Sequence, residues 1–253
     1  MGGKNQVYGW ITPISFYRMI KYFGNFSNVF FERNKDNVMV LPLIIGAALI
    51  GGLWFVASQW SGKHIAVLGG RGVGKTTFIE YLKTKRIRSD YHQTATVDKY
   101  EAMKVRIEGI TLYISSGYDV SGAKGNHEEW RKQIEKADIV FYLLDINKVL
   151  RKDERYIKNT EQDLDEIKDS IARRQEKMTV FLIANHADEQ PDYTNNFTKF
   201  EEKVGKQRIL EQAVINLGGT KYCKVIIGSL KNEEQAKKLV TNILKSYDAD
   251  NKK

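Results

Sequence analysis

A glycine-rich loop stands between an apolar, strand-like run and a helical run, at residues 69–76. Its sequence, GGRGVGKT, matches the pattern G-x-x-x-x-G-K-[ST], and residues 65–68 precede it directly as IAVL. Glycines allow backbone N–H groups to converge on phosphate oxygens, and the dipole of the following helix attracts the same negative charge. This order of strand, loop and helix predicts a phosphate-binding site and restricts the fold to those that carry such a loop.

The residues that close this loop suit a nucleotide with its metal ion. We expect Lys75 to bridge the β and γ phosphates and the Thr76 hydroxyl to ligate Mg²⁺, while Arg71 faces solvent. The nucleotide-binding residues predicted here are Gly69, Gly70, Arg71, Gly72, Val73, Gly74, Lys75, Thr76 and Thr77.

From residue 63 onward, strand-like and helix-like segments alternate. This alternation predicts an α/β fold with a mostly parallel six-stranded sheet and five helices distributed over both faces. Together with the glycine-rich loop, it indicates the P-loop NTPase class. Apolar runs such as IVFYLL suit strands that are covered on both sides. The predicted strands are 63–69, 101–108, 110–116, 138–144, 178–184 and 222–228, and the clearest helical spacing lies near 153–175 and 236–244. We assign residues 63–247 to this domain and 248–253 to a polar tail.

The loop after strand 178–184 predicts which base the site binds. Its sequence, N-H-A-D from Asn185 to Asp188, is close to the guanine-binding pattern N-K-x-D. The Asp188 carboxylate can accept hydrogen bonds from the N1–H and the N2 amine of guanine, a pair that adenine lacks. We expect Asn185 to brace the loop and the flat His186 ring to replace the Lys stem that stacks on the base.

The end of the next strand supports the same base. Ser229-Leu230-Lys231 stands where guanine-binding proteins place Ser-Ala-Lys, a loop whose backbone binds the guanine carbonyl. GTP or GDP, with Mg²⁺, is therefore the predicted ligand.

The order of these motifs resembles that of the Ras-like small GTPases, and the ADP-ribosylation factor branch fits best. Asp119-Val120-Ser121-Gly122 is similar to the D-V-G-G element of that branch; Trp130 follows Asp119 by 11 residues, and strand-end Asp145 follows Trp130 by 15. The resemblance covers residues 63–247. With the apolar N-terminal run described below, the architecture is similar to that of signal recognition particle receptor beta subunits.

The resemblance implies further site residues. Asp119 holds Mg²⁺ through water, and Gly122 offers its N–H to the γ-phosphate; a competing register places Gly117 there, but it lacks the acidic residue. Thr96, or alternatively Thr94, completes the Mg²⁺ shell as the switch I threonine. The implied metal ligands are Thr76, Thr96 and Asp119, and the implied catalytic residues are Lys75, Thr76, Asp119 and Gly122.

Two departures from the family pattern affect hydrolysis and partner binding. Ala123 occupies the place of the Gln that orients the attacking water, so we expect slow hydrolysis. His127 is an alternative in that role, although an ordinary surface position in a loop is the default expectation. The charged insertion at 149–175 predicts a solvated helical face, with partner binding as the alternative.

Residues 38–57 form a run of twenty residues without a charge. At about 1.5 Å per residue, a helix of that length spans roughly 30 Å of hydrocarbon, which predicts a transmembrane helix. Trp54 and Trp60 are expected to anchor its end in the interface. A buried core helix and a shallow hairpin bent at Pro42 and residues 51–52 are the alternatives.

The aromatic, basic segment 1–37 contains a predicted helix at 13–23, which lies in the membrane interface or packs on a partner protein. GTP is cytosolic, so we expect a single-pass protein with its GTPase domain on the cytoplasmic side. The positive-inside tendency argues for the opposite orientation, because residues 1–62 carry +3.

The net charge of +9 is spread along the chain, with +6 over residues 63–253, and predicts no nucleic-acid partner. The single cysteine, Cys223, fits a reducing compartment.

Three functions remain for this sequence. The preferred one is a membrane-anchored GTP/GDP switch that recruits a protein effector at the lipid bilayer. The others are a membrane scaffold whose bound GTP is structural, which Ala123 favours, and an ATP-dependent P-loop enzyme, which the guanine loop disfavours.

Overall fold

A six-stranded sheet organises the computed structural model, which describes residues 60–87, 98–107, 110–119, 127–174 and 177–248. The strands of the described residues are β1 (His64–Gly69), β2 (Asp98–Tyr100), β3 (Met103–Ile107), β4 (Ile110–Ile114), β5 (Gly117–Asp119), β6 (Ile139–Asp145), β7 (Thr179–Asn185) and β8 (Cys223–Ile227). The large sheet has the order β3-β4-β1-β6-β7-β8, in which only β3 is antiparallel to its neighbour. The predicted mostly parallel, six-stranded sheet is confirmed.

A second sheet of two short strands was not predicted. Strands β2 and β5 pair antiparallel, with Asp98 opposite Asp119 and Tyr100 opposite Gly117. Three residues per strand are too few to show an alternating pattern in the sequence.

The helices of the described residues outnumber the five predicted. They are α1 (Lys75–Thr84), α2 (His127–Lys136), α3 (Ile146–Leu150), α4 (Glu154–Ala172), α5 (Pro191–Asn195), α6 (Phe197–Gly205), α7 (Arg208–Asn216) and α8 (Glu233–Asp248), with a 3-10 turn at Ala187–Glu189. The long helices at 153–175 and near 236–244 are confirmed. Helices α3 and α5, of five residues each, are too short to show helical periodicity.

Two apolar clusters lie on opposite faces of the sheet, as alternation along β6 shows. Phe141 and Leu143 belong to one cluster, which includes apolar residues of α1 and α8, whereas Tyr142 and Leu144 belong to the other, which includes residues of α2, α4, α6 and α7. Helices therefore cover both faces, as predicted. This arrangement places the loops that follow β1, β6, β7 and β8 at one edge of the sheet.

Trp60 lies in the core and not, as predicted, in a membrane interface. Its side chain is fully buried, its indole N–H donates to the Leu244 carbonyl at 3.2 Å, and its ring centroid lies 4.6 Å from that of Tyr247. The sequence-based expectation was wrong because a Trp near an apolar run suits an interface and a core pocket equally well.

Several predicted N-terminal features lie outside the described residues: the helix at 13–23, the apolar run 38–57 with Trp54, and most of the tail 248–253. Among the helices that the structure does describe, none is long and apolar enough to cross a bilayer.

Candidate functional site

The glycine-rich loop leaves β1 in a conformation that two of its glycines require. Gly69 has φ 142°, and a Cβ there would lie 2.4 Å from the Leu143 carbonyl oxygen of β6. Gly74 has φ 93°, and a Cβ there would lie 2.6 Å from the Asn185 amide nitrogen. Both sites combine left-handed backbone with contact to a neighbouring strand end, so the loop is packed directly against β6 and β7.

Lys75 begins α1 and turns back across the loop. Its side chain is buried, and its ammonium group donates to the Gly70 carbonyl at 2.7 Å. Phe78 N–H donates to Gly74 at 2.9 Å, so the N–H groups of the preceding helical residues lie at the open first turn of α1. A cation and a helix N-terminus facing one loop form a cradle that suits phosphate groups. Arg71 is exposed, as expected.

Asn185 joins the loop after β7 to the glycine-rich loop. Its amide N–H donates to the Val73 carbonyl at 3.0 Å, and the residue is almost fully buried. Its Oδ1 is buried without a hydrogen-bond partner among the described residues. An acceptor buried in this way costs about 1–3 kcal/mol, so the site suits a ligand or water that supplies a donor.

Asp188 and Ser229 meet at the end of the site where the sequence predicts base binding. Ser229, fully buried, donates its hydroxyl to Asp188 Oδ1 at 2.5 Å, and Lys231 Nζ lies 3.7 Å from Oδ2. The Lys231 N–H donates to Ser229 Oγ at 3.0 Å. The structure thus brings together the two loops that the sequence assigned to guanine, and Leu230, 7% exposed, lies beneath them against Gly74.

His186 has left-handed backbone geometry, with φ 62°, which is uncommon for a residue other than glycine. Its Nε2 lies 3.3 Å from the Gly72 carbonyl, and its Nδ1 lies 3.8 Å from Glu189. The ring therefore borders the phosphate loop. Stacking on a base remains a prediction.

Asn147, which the sequence analysis missed, holds the loop that carries Asp188. It is fully buried on α3, and its amide donates to the His186 carbonyl at 2.7 Å and to Glu189 Oε2 at 2.9 Å. Its Oδ1 accepts from Gln190 at 2.6 Å. The signal in the sequence is weak, since it consists only of an Asn two residues after a strand-end Asp.

We expect Asn147→Ala to lower the free energy of unfolding by about 2 kcal/mol, because it leaves buried partners of the amide unsatisfied. It should also weaken discrimination between guanine and hypoxanthine nucleotides, since Asp188 would lose its fixed position. Denaturant unfolding and competition binding measure the two effects. Asn216→Ala, at an exposed position on α7, is the matched control and should change neither.

His127 is neither a loop residue nor an ordinary surface residue, which corrects the default expectation. It begins α2, with Nε2 3.1 Å from Asp163 Oδ1 and Nδ1 3.8 Å from Glu166 Oε2 on α4. Asp163 also accepts from the Tyr142 hydroxyl at 2.9 Å. Both ring nitrogens face carboxylates. To replace the Gln that orients the attacking water, the ring would have to face that water instead.

The outward side of α4 is exposed, as expected, whereas its inward side carries polar groups that the sequence did not predict. Burial raises the pKa of Asp163, and the hydrogen bonds from His127 and Tyr142 oppose that rise. Arg131 of α2 forms two hydrogen bonds to Glu166, at 2.5 and 2.8 Å. The helix thus combines an exposed face with a polar seam against α2, and helical periodicity in the sequence does not reveal such a seam.

The Arg131 hydrogen bonds hold the pKa of Glu166 below its ordinary value. A carboxyl group with a depressed folded-state pKa stabilises the protein above its unfolded pKa, and this contribution is lost as pH falls through the folded value. We therefore expect stability to fall more steeply below about pH 4.5 in the natural protein than in Glu166→Gln. Thermal unfolding at several pH values measures this; Glu128→Gln, at a largely exposed carboxylate, should retain the natural slope.

The switch residues of the predicted site mostly lie outside the described residues: Thr94, Thr96, Gly122 and Ala123. The backbone of Asp119 ends β5, beside β2. Their predicted roles toward Mg²⁺ and the γ-phosphate remain predictions.

Comparison with known proteins matches most of the chain to one family. A sequence profile of the ADP-ribosylation factor family matches residues 55–243. The crystal structure of an ADP-ribosylation factor-like GTP-binding protein, the small COPII coat GTPase SAR1 of Encephalitozoon cuniculi in complex with GDP, is 16% identical to the chain. It covers 85% of this chain and 93% of its own, with a TM-score of 0.46. No curated protein matches the sequence.

Proposed function

The chain belongs to the ADP-ribosylation factor family of small GTPases, and from that premise we propose that it is a membrane-anchored GTP/GDP switch with slow intrinsic hydrolysis. The observation that carries the proposal is the Asn185 side chain, which binds the Val73 carbonyl and so joins the base loop to the phosphate loop. Asp188 follows Asn185 in one loop and Lys75 follows Val73 in the other, so the contact supports our proposal that Asp188 and Lys75 bind the two ends of one guanine nucleotide.

The proposed binding mode divides the nucleotide between these two ends. The Asp188 carboxylate accepts hydrogen bonds from guanine, and its contacts with Ser229 and Lys231 hold it in position. Lys75 and the first turn of α1 bind the phosphates. Thr76, Thr96 and Asp119 would hold Mg²⁺, which would neutralise phosphate charge when it is bound.

Slow hydrolysis follows from Ala123, because a methyl group cannot orient the attacking water. Single-turnover hydrolysis of GTP by the full chain tests this, with Ala123→Gln as the gain-of-function variant. We expect the variant to hydrolyse GTP at least about tenfold faster. Fast hydrolysis by the natural chain that Asp119→Ala abolishes would contradict slow hydrolysis. It would still agree with a GTPase function.

The switch acts through partners at a membrane. Binding of GTP orders segments near 91–98 and 117–129 and creates a surface for a protein effector. The uncharged run 38–57 supports an anchor in a lipid bilayer, with the GTPase domain on the cytoplasmic side. Resistance to alkaline extraction from membranes, and protease protection of an N-terminal tag, test the anchor and its orientation.

A second candidate is a scaffold whose bound GTP is structural, and Ala123 is the observation that favours it. The nucleotide released from natively purified protein distinguishes the two, since a scaffold retains GTP without turnover even with its partner present. ATP competing equally with GTP would contradict both candidates and favour an ATP-dependent enzyme.

A further inference from the structure

A basic surface lies at the edge of the sheet opposite the nucleotide loops. There the parallel strands β1, β6, β7 and β8 begin, and we call this surface the basic edge. Hydrogen bonds join the elements that meet there: Asp138 N–H donates to His64 at 2.7 Å, and Val180 N–H donates to Tyr222 at 2.7 Å. Its described basic residues are Lys63, Lys136, Arg173, Arg174, Lys177, Lys221, Lys224 and Lys245.

Positive charge dominates this edge. Its described acidic residues are Glu135, Asp138, Asp169 and Asp248. The ammonium groups of Lys177 and Lys221 both lie over the Tyr222 ring, 5.1 and 5.6 Å from its centroid.

Some of these cations have roles within the fold. Arg174 donates to carbonyls at the end of α2, Lys224 donates to the Ser246 carbonyl, and Lys63 lies 3.5 Å from Asp138. The remaining members are exposed: Lys136, Arg173, Lys177, Lys221 and Lys245. Basic residues near helix C-termini stabilise helices. Lys177 and Lys221 lie in loops, so helix stabilisation does not explain their presence.

The chain enters the fold at this same edge. Trp60 is fully buried, and its indole N–H donates to Leu244, one residue before Lys245. The apolar run 38–57 ends three residues earlier, and three extended residues cover at most about 11 Å. The distance over which headgroup charge acts at physiological salt is about 8 Å.

We infer that the basic edge docks on anionic lipid headgroups of the membrane that holds the apolar run. The inference rests on the proposed anchor. The short tether keeps the exposed lysines within reach of the headgroups, and docking turns the nucleotide edge toward the cytosol. Anionic lipid therefore orients the GTPase domain, and neutral lipid leaves it free to tilt.

The test uses the full chain in lipid nanodiscs, with Thr220→Cys as an exposed labelling site beside Lys221. Burial raises the pKa of the natural Cys223 thiol to about 12, so a maleimide donor dye reacts with the introduced cysteine. Energy transfer to a headgroup-labelled lipid reports the distance between the basic edge and the membrane. Neutral phosphatidylcholine discs are compared with discs containing about one third phosphatidylserine.

We expect phosphatidylserine to increase the ratio of docked to undocked domain about tenfold, and high salt to reverse the increase. Combined Lys136→Glu, Lys177→Glu and Lys221→Glu should abolish it. The matched control makes the same change in net charge elsewhere, with Arg155→Glu, Lys158→Glu and Lys237→Glu, and should dock normally. If the Glu variant does not fold, the same three lysines are replaced by Gln, and we expect a smaller loss of docking.

Four results overturn the inference. Equal energy transfer in neutral and anionic discs contradicts docking, and so does an equal loss of docking in both triple variants. Neither result contradicts the proposed anchor or the GTPase function. Release of the chain at alkaline pH removes the anchor and the docking together. Docking that needs nucleic acid or an acidic protein, and not phosphatidylserine, assigns the edge to another partner.

Discussion

Replacement of Lys75 by Ala is expected to reduce affinity for GTP and GDP by about 10²–10³-fold. Lys75 is buried, and its ammonium group lies across the loop on the Gly70 carbonyl, within the loop that is predicted to hold the phosphates. The substitution removes a charge-assisted contact and leaves nothing in its place. Equilibrium binding of a fluorescent guanine nucleotide measures the loss.

Lys83→Ala is the matched control, since it removes a cation from an exposed position of the same helix, outside the predicted binding residues. It should change affinity less than about threefold. Lys75→Met keeps the side-chain length without the charge, and it separates loss of the contact from collapse of the loop. Full affinity in Lys75→Met with a normal unfolding transition would contradict the assignment of this loop to phosphate.

The second large effect is a change of base preference in Asp188→Asn. In the proposed binding mode the carboxylate accepts two hydrogen bonds from guanine, and an amide reverses one of them, so GTP affinity should fall at least about hundredfold. Xanthine carries a carbonyl where guanine carries the N2 amine, and it accepts from the new amide. Competition between GTP and XTP for the labelled nucleotide measures the exchange of preference.

The contacts of Asp188 indicate that the Asn variant keeps its fold. Ser229 donates to Oδ1 at 2.5 Å, and an amide oxygen still accepts that bond, so the variant should fold. Asp192→Asn on α5 is the control, because it changes a nearby carboxylate whose side chain is 37% exposed. Unchanged base preference in Asp188→Asn would exclude this residue from the site.

The six sheet strands were predictable because each combines a short apolar run with a breaker, and burial on both faces leaves that signal in the sequence. The phosphate loop was predictable because its glycines and Lys75 are adjacent in the chain. Asn147 and Asp163 were not predictable, since their partners lie far away in sequence: Asn147 binds a loop about 40 residues later, and Asp163 meets His127 36 residues earlier.

The local sequence predicted the positions of Trp60 and His127 incorrectly. From the local sequence, we expected Trp60 at a membrane interface and His127 at the surface of a loop. Packing assigned Trp60 to a pocket beside Leu244 and Tyr247, and the carboxylates of α4 engage both nitrogens of His127.

The sequence by itself determined the class of fold, the order of the motifs and the chemical types that a guanine nucleotide requires, because these depend on residues close together in the chain. The tertiary structure decided how the motifs meet. It placed Asn185 on the phosphate loop, Ser229 on Asp188 and the basic residues at one edge of the sheet. Parallel strands cause this convergence, since they bring the ends of distant segments to common edges.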